Sequence, residues 1–79
     1  MEFKQLKVAF RTGGLKSATV TYAPMQRGCY ILIVQDKDNN KHVMRAQRSD
    51  EHEARVFKSI DAAVANASKI GFKTITVQL

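Results

Sequence analysis

The chain is poor in the residues that chemistry most often uses. It has one cysteine, one proline and two histidines in 79 residues. A lone Cys29 excludes an internal disulfide. Its place in the most apolar run predicts a reduced, buried thiol and a cytoplasmic setting. No run is long and apolar enough to cross a membrane. Residues 1–5 lack an apolar stretch behind a basic start, so no signal peptide and no membrane association are expected.

Metal and nucleophile chemistry lack their residue sets. Cys29, His42 and His52 are the only borderline or soft ligands, and they show none of the paired spacings of a closed zinc site. Asp36-Lys37-Asp38-Asn39-Asn40 starts like a calcium loop, but Lys41 and Gln47 stand where Gly and Glu are needed. Gly13-Gly14-Leu15-Lys16-Ser17 resembles a phosphate loop only until Leu15 interrupts it. The seven carboxylates scatter. The expectation is no enzyme, no metal and no cofactor.

What the chain has is positive charge. Thirteen Lys and Arg face seven Asp and Glu, a net charge of +6 with a pI near 9.8. That balance favours polyanionic partners, nucleic acid before an anionic membrane surface or an acidic protein. Residues 1–28 hold Lys4, Lys7, Arg11, Lys16 and Arg27 against Glu2 alone, a local excess of +4.

The length predicts a single small domain over residues 1–79. Its organising stretch is residues 28–35, where both alternating positions are apolar. Ile31 and Ile33 point one way and Tyr30, Leu32 and Val34 the other, the pattern of a central strand. Residues 3–11 alternate through Leu6, Val8 and Phe10 and predict a strand, with a bulge near Lys4-Gln5 to absorb the out-of-phase Phe3. Thr12-Gly13-Gly14 suits a hairpin. Residues 16–23 predict the return strand, with Ala18, Val20 and Tyr22 on its apolar side. Residues 36–40 predict a turn, because Asp and Asn bond their own backbone there. Residues 41–48 predict a fourth strand, and residues 54–57 a brief extension of the sheet.

One helix is expected. Ser59 is its N-cap, Asp61 lies in its first turn, and Lys69 and Gly71 mark its end. Ile60, Ala63, Val64, Ala67 and Ile70 form its apolar stripe. Residues 73–78 predict a last strand. The order β-β-β-β-α-β implies an α+β fold, an antiparallel meander of four to five strands with one C-terminal helix on one face.

In that phase Lys7 and Arg11 leave the core on the side of Ser17, Thr19 and Thr21. Arg45 and Gln47 join them if the fourth strand shares the register. The expected function is a small, non-enzymatic binding protein that takes duplex DNA on a basic hairpin or sheet face. Lys7, Arg11 and Lys16 meet phosphate, while Thr19, Thr21, Arg45 and Gln47 lie alongside. The alternative is a protein-interaction or inhibitor module, or a homodimer, built on Cys29, Ile31 and Ile33. Residues 30–67 are similar, in common residue types, to the arm-binding domain of phage integrases, through Phe57-Lys58-Ser59 and Ala62-Ala63. The likeness implies sheet-face DNA binding. It departs from that pattern by two strands before it and one strand after the helix.

Overall fold

A computed structural model describes residues 1–24, 26–45 and 54–79. The order is α1 (Phe3–Arg11), β1 (Leu15–Tyr22), β2 (Tyr30–Asp36), β3 (Lys41–Val43), α2 (Ile60–Ile70) and β4 (Thr76–Gln78). The fold is α+β, with two helices and a four-stranded mixed sheet in the order β3-β2-β1-β4. The expected antiparallel meander with one helix is corrected in three places.

The first correction is at the start of the chain. Residues 3–11 are helical, not a strand. Phe3, Leu6 and Phe10 fall at i, i+3 and i+7, one helical stripe, so the residue that a strand had to explain by a bulge is in phase in a helix. Glu2 N–H donates to Gln5 Oε1 at 2.8 Å, closing the first turn. Thr12-Gly13-Gly14 is the stop rather than a hairpin. Gly13 N–H donates to Phe10 O and Gly14 N–H to Ala9 O, with Gly13 at φ +79°, which is the Schellman arrangement. Thr12 Oγ1 donates to the Val8 and Ala9 carbonyls at 3.2 and 3.1 Å.

The second correction is β4, which runs parallel to β1 with Val20 opposite Val77. Parallel neighbours need a crossover, and α2 supplies it by carrying the chain from β3 back across the sheet. The third is β3, which ends at Val43. Past it, Arg45 makes single bridges to Glu2 and Ala54, and Phe57 makes one to Tyr30. Residues 46–48 of the expected fourth strand, and the link 49–53, lie outside the described residues.

The remaining elements follow the sequence. β1 pairs antiparallel with β2, Ala18 opposite Val34 and Val20 opposite Leu32, and β2 is internal to the sheet. Asp36 Oδ1 accepts from Asp38 N–H and Asn40 N–H at 2.9 Å each, and Asn39 takes φ +67°, so the turn is closed by side-chain bonds. Ser59 Oγ accepts from Ala62 N–H at 3.1 Å as the N-cap of α2.

Both helices cover one side of the sheet. Leu6 from α1, Ala63, Ala67 and Ile70 from α2, and Ala18, Val20, Leu32 and Val34 from the strands form one cluster with Met44, Phe57 and Phe72. The small Ala63 and Ala67 let α2 lie close, and each is fully buried. Ser17, Thr19, Thr21, Ile31, Ile33 and Gln35 take the other side of the sheet by strand alternation. Among the described residues, no helix is long and apolar enough to cross a membrane.

Candidate nucleic-acid interface

The helix at residues 3–11 rearranges the expected site. In a helix, Lys4, Lys7 and Arg11 fall at i, i+3 and i+7, a cationic stripe beside the apolar one. Lys7 and Arg11 therefore do not share a strand face with Thr19 and Thr21, and there is no hairpin over residues 6–22. Thr19 and Thr21 lie half-buried on the helix-free side, opposite Ile33 and Ile31. Lys16 is exposed at the start of β1, and its Nζ donates to Asn39 Oδ1 at 2.9 Å, so it is tied to the β2–β3 turn. Gln47 lies outside the described residues.

The proposed interface residues also separate. Ile31 is only 6% exposed and Ile33 is half-buried. Ile31 borders a hollow of about 430 Å³ together with Met1, Lys41, His42, Val43 and Arg45. Cys29 is a free thiol, but half-buried rather than buried, at the end of the loop into β2. Its carbonyl accepts from Ala23 N–H at 2.9 Å.

Cations also meet on the helical side. Phe3, Met44, Arg45, Arg55, Asn66 and Lys69 line a cleft of about 250 Å³. Four separate stretches of chain supply these residues: the start of α1, the end of β3, the segment before α2, and the last two turns of α2. Around the cleft the cations are placed by aromatic rings. Lys7 Nζ sits 5.6 Å from the centre of the Phe3 ring, and the Arg55 guanidinium sits 5.3 Å from that of Phe57. Phe57 is buried, so Arg55 has a fixed seat. Asn66 Nδ2 donates to Ala62 O at 3.0 Å, which fixes its amide on the helix. Arg45 is exposed and its backbone N–H donates to Met1 O at 2.9 Å, so the residue is already engaged within the protein. Arg55 and Lys69, both exposed, do not depend on it.

Electrostatics agree with this placement. Partial burial, and then the charge of Arg45, hold the N-terminal amine below its ordinary pKa. Of the described acids, Glu2 adjoins the cleft, next to Phe3 and bridged to Arg45 through the backbone. Asp36 is engaged with His42, Nε2 to Oδ2 at 2.8 Å, and that bond, with two backbone N–H donors, holds its carboxyl below the usual range. Among the described residues are all thirteen cations except Arg48, but only Glu2, Asp36, Asp38 and Asp61 of the seven acids. Among those same residues, no three His, Cys, Asp or Glu side chains gather as a metal site.

Of the expected contacts, Lys7 and Arg45 come together at Phe3, while Lys16, Thr19 and Thr21 point elsewhere. Arg55, Asn66 and Lys69 were not foreseen. The available signal was the Lys4, Lys7, Arg11 spacing, which is helical. Compared with protein-family models, with curated proteins and with solved structures, the chain matches none.

Proposed function

We propose that this chain is a small, non-enzymatic nucleic-acid-binding protein that holds phosphate groups on its helical side. The observation that carries the reading is the gathering of Arg55 and Lys69 in the Phe3 cleft, with Arg45 at its rim and Lys7 over the Phe3 ring. A solvated basic surface spreads its cations apart, whereas here three stretches distant in sequence bring Arg45, Arg55 and Lys69 to one concavity. Arg55 and Lys7 rest on aromatic rings, which lowers the entropy lost when they meet a phosphate. The cleft has the geometry for phosphate contacts, which position a nucleic acid without reading its sequence.

The test is a salt titration of binding to a short duplex and a short single strand. Log affinity falls linearly with log salt, by ~0.9 per neutralised phosphate on duplex DNA and ~0.7 on a single strand. Replacing Lys7, Arg55 and Lys69 together by Gln flattens that slope by about two to three contacts' worth. Changing Thr19 and Thr21 to Glu on the opposite side leaves it nearly unchanged. The reverse pattern moves the interface to the sheet face. Absence of binding by the parent protein to either probe at low salt ends the nucleic-acid reading.

A further inference from the structure

Tyr22 is out of place for a core residue. Strand alternation puts it on the side of Ala18 and Val20, beneath the helical layer, yet it is 51% exposed. Its ring stacks on Tyr30, its cross-strand partner, with centroids 5.6 Å apart and planes 23° from parallel. Tyr30 is itself anchored, since its backbone N–H and C=O both bond to Phe57 at 2.8 Å. One face of the Tyr22 ring thus rests on a fixed support and half of the side chain is left to solvent. Val77 and Leu79 are also exposed, at 42% and 66%. The β1–β4 register, continued one step past Gln78, brings Leu79 beside Tyr22.

The neighbouring loop supplies charge. Tyr22, Ala23, Pro24, Gln26, Arg27 and Gly28 border a hollow of about 490 Å³. The loop backbone is tied by Ala23 N–H to Cys29 O at 2.9 Å and Cys29 N–H to Gln26 O at 3.2 Å. No acidic residue occurs anywhere between Phe3 and Gln35. A half-exposed aromatic ring on a rigid backing, with an arginine beside it and no carboxylate in its sequence neighbourhood, is the combination that takes an unpaired base and its phosphate.

We propose that Tyr22 is a stacking platform for one unpaired nucleobase, with Arg27 meeting the adjoining phosphate. This inference rests on the nucleic-acid reading above and adds the form of nucleic acid, a single strand or an unpaired loop, because a duplex keeps its bases inside the stack. It corrects the expectation that Tyr22 belongs to the buried set.

The chain contains no tryptophan, and both of its tyrosines are in this stack, so tyrosine emission reports on this site alone. The full chain is titrated with short oligothymidylate and with an abasic oligonucleotide of the same number of phosphates. Oligothymidylate is expected to quench the emission and to bind roughly 10-fold or more tightly than the abasic strand. Tyr22→Leu removes that difference and leaves abasic affinity unchanged, while Tyr22→Phe keeps it. Arg27→Gln, on an exposed loop where folding is not at stake, weakens both strands and flattens the salt slope by about one contact. Equal binding of the two strands without quenching overturns the platform and leaves the phosphate-binding reading standing. Binding of neither strand at low salt overturns the platform, and with no binding to a short duplex either it overturns the nucleic-acid reading as well. A concentration-dependent mass that Tyr22→Leu abolishes, with no difference between the strands, makes this patch a contact between copies and overturns the platform.

Discussion

Gly71→Ala is the sharpest test of the fold. Gly71 closes α2 at φ +135°, a conformation that side chains other than glycine rarely adopt. A Cβ added there would lie 2.5 Å from both Cδ1 and Cε1 of Phe10 and 3.1 Å from Cζ. The Phe10 ring cannot simply step aside, because it packs edge-on against Phe72 with centroids 4.9 Å apart. Two costs combine. The backbone conformation costs about 1–3 kcal/mol for an L side chain. Forcing atoms into occupied space adds about 1–3 kcal/mol. Against a stability of ~3–5 kcal/mol for a domain of this size, the variant is expected to be largely unfolded or close to it.

Gly28→Ala separates the two costs. Gly28 also has positive φ, +77°, but an added Cβ meets nothing within 4 Å. Only the backbone cost remains, about 1–2 kcal/mol. Urea midpoints and thermal melts of the two variants give the difference, with each kcal/mol worth about 4–8 °C in a domain this small. Adding Phe10→Ala to Gly71→Ala removes the clash, so the double variant loses less than the sum of the singles. Equal shifts for Gly71→Ala and Gly28→Ala, with additive behaviour of Phe10→Ala, would refute the reasoning. Phe10 would not lie over the end of α2, and the helical placement of residues 3–11 would lose its main tertiary support.

Three further outcomes are expected. Ser59→Ala removes the bond to Ala62 N–H and costs about 1 kcal/mol, read as a urea midpoint shift without change in slope. Ala63→Asp buries an unpaired carboxylate at a fully buried position and destabilises far more than Asn66→Asp, which lies at the edge of the cleft; equal melting shifts would mean the helix face is misassigned. Asp36→Asn weakens the turn at neutral pH. Because His42 and the backbone donors lower the Asp36 pKa on folding, its contribution is present above the ordinary carboxylate range and is lost as pH falls through the lowered value, so parent and variant converge in acid; a difference that persists unchanged in strong acid would refute the carboxylate's role.

How legible the chain is depends on whether independent signals coincide. At α2 the cap, the acidic first turn, the apolar stripe and the glycine stop all agree, and the helix lies where they put it. At the β2–β3 turn, Asp36 and Asn39 carry their own bonding instructions. Residues 3–11 carry two periods at once. Leu6, Val8 and Phe10 alternate, while Phe3, Leu6 and Phe10 fall on a helical stripe. Phe3 decided between them, since only the helix keeps it in phase, and Val8 pays the difference at 58% exposure. Thr12-Gly13-Gly14 is ambiguous in the same way, because positive φ serves a hairpin and a helix stop alike. The direction of β4 is not a local property at all, being set by where α2 delivers the chain. With residues 3–11 helical, Lys7 and Arg11 no longer share the sheet face of Thr19 and Thr21. Arg55, Asn66 and Lys69 come together with Phe3 only through tertiary packing. Tyr22 was assigned the correct side of the sheet but not its exposure, since alternation gives the side and the extent of the helical layer gives the cover.

The two candidate surfaces are joined by one short segment. Tyr30, which backs Tyr22, is bonded through its backbone to Phe57 in both directions. The Phe57 ring seats Arg55, and Arg55 lines the cationic cleft. The side chains of Tyr22 and Tyr30 and both helices occupy the same side of the sheet, whereas Thr19, Thr21, Ile31 and Ile33 occupy the other. The helix-free side, the natural choice when residues 3–11 are a strand, offers half-buried threonines and a covered Ile31, with Lys41, His42 and Arg45 around the hollow that Ile31 borders. The helical side offers cations seated on rings and the one half-exposed ring that rests on a second. Turning residues 3–11 from strand to helix therefore takes Lys7 and Arg11 off the sheet face of Thr19 and Thr21 and puts them on the side that also carries the exposed aromatic. The proposed partner, a single nucleic-acid strand with alternating charge and flat apolar surface, would meet both features on that side.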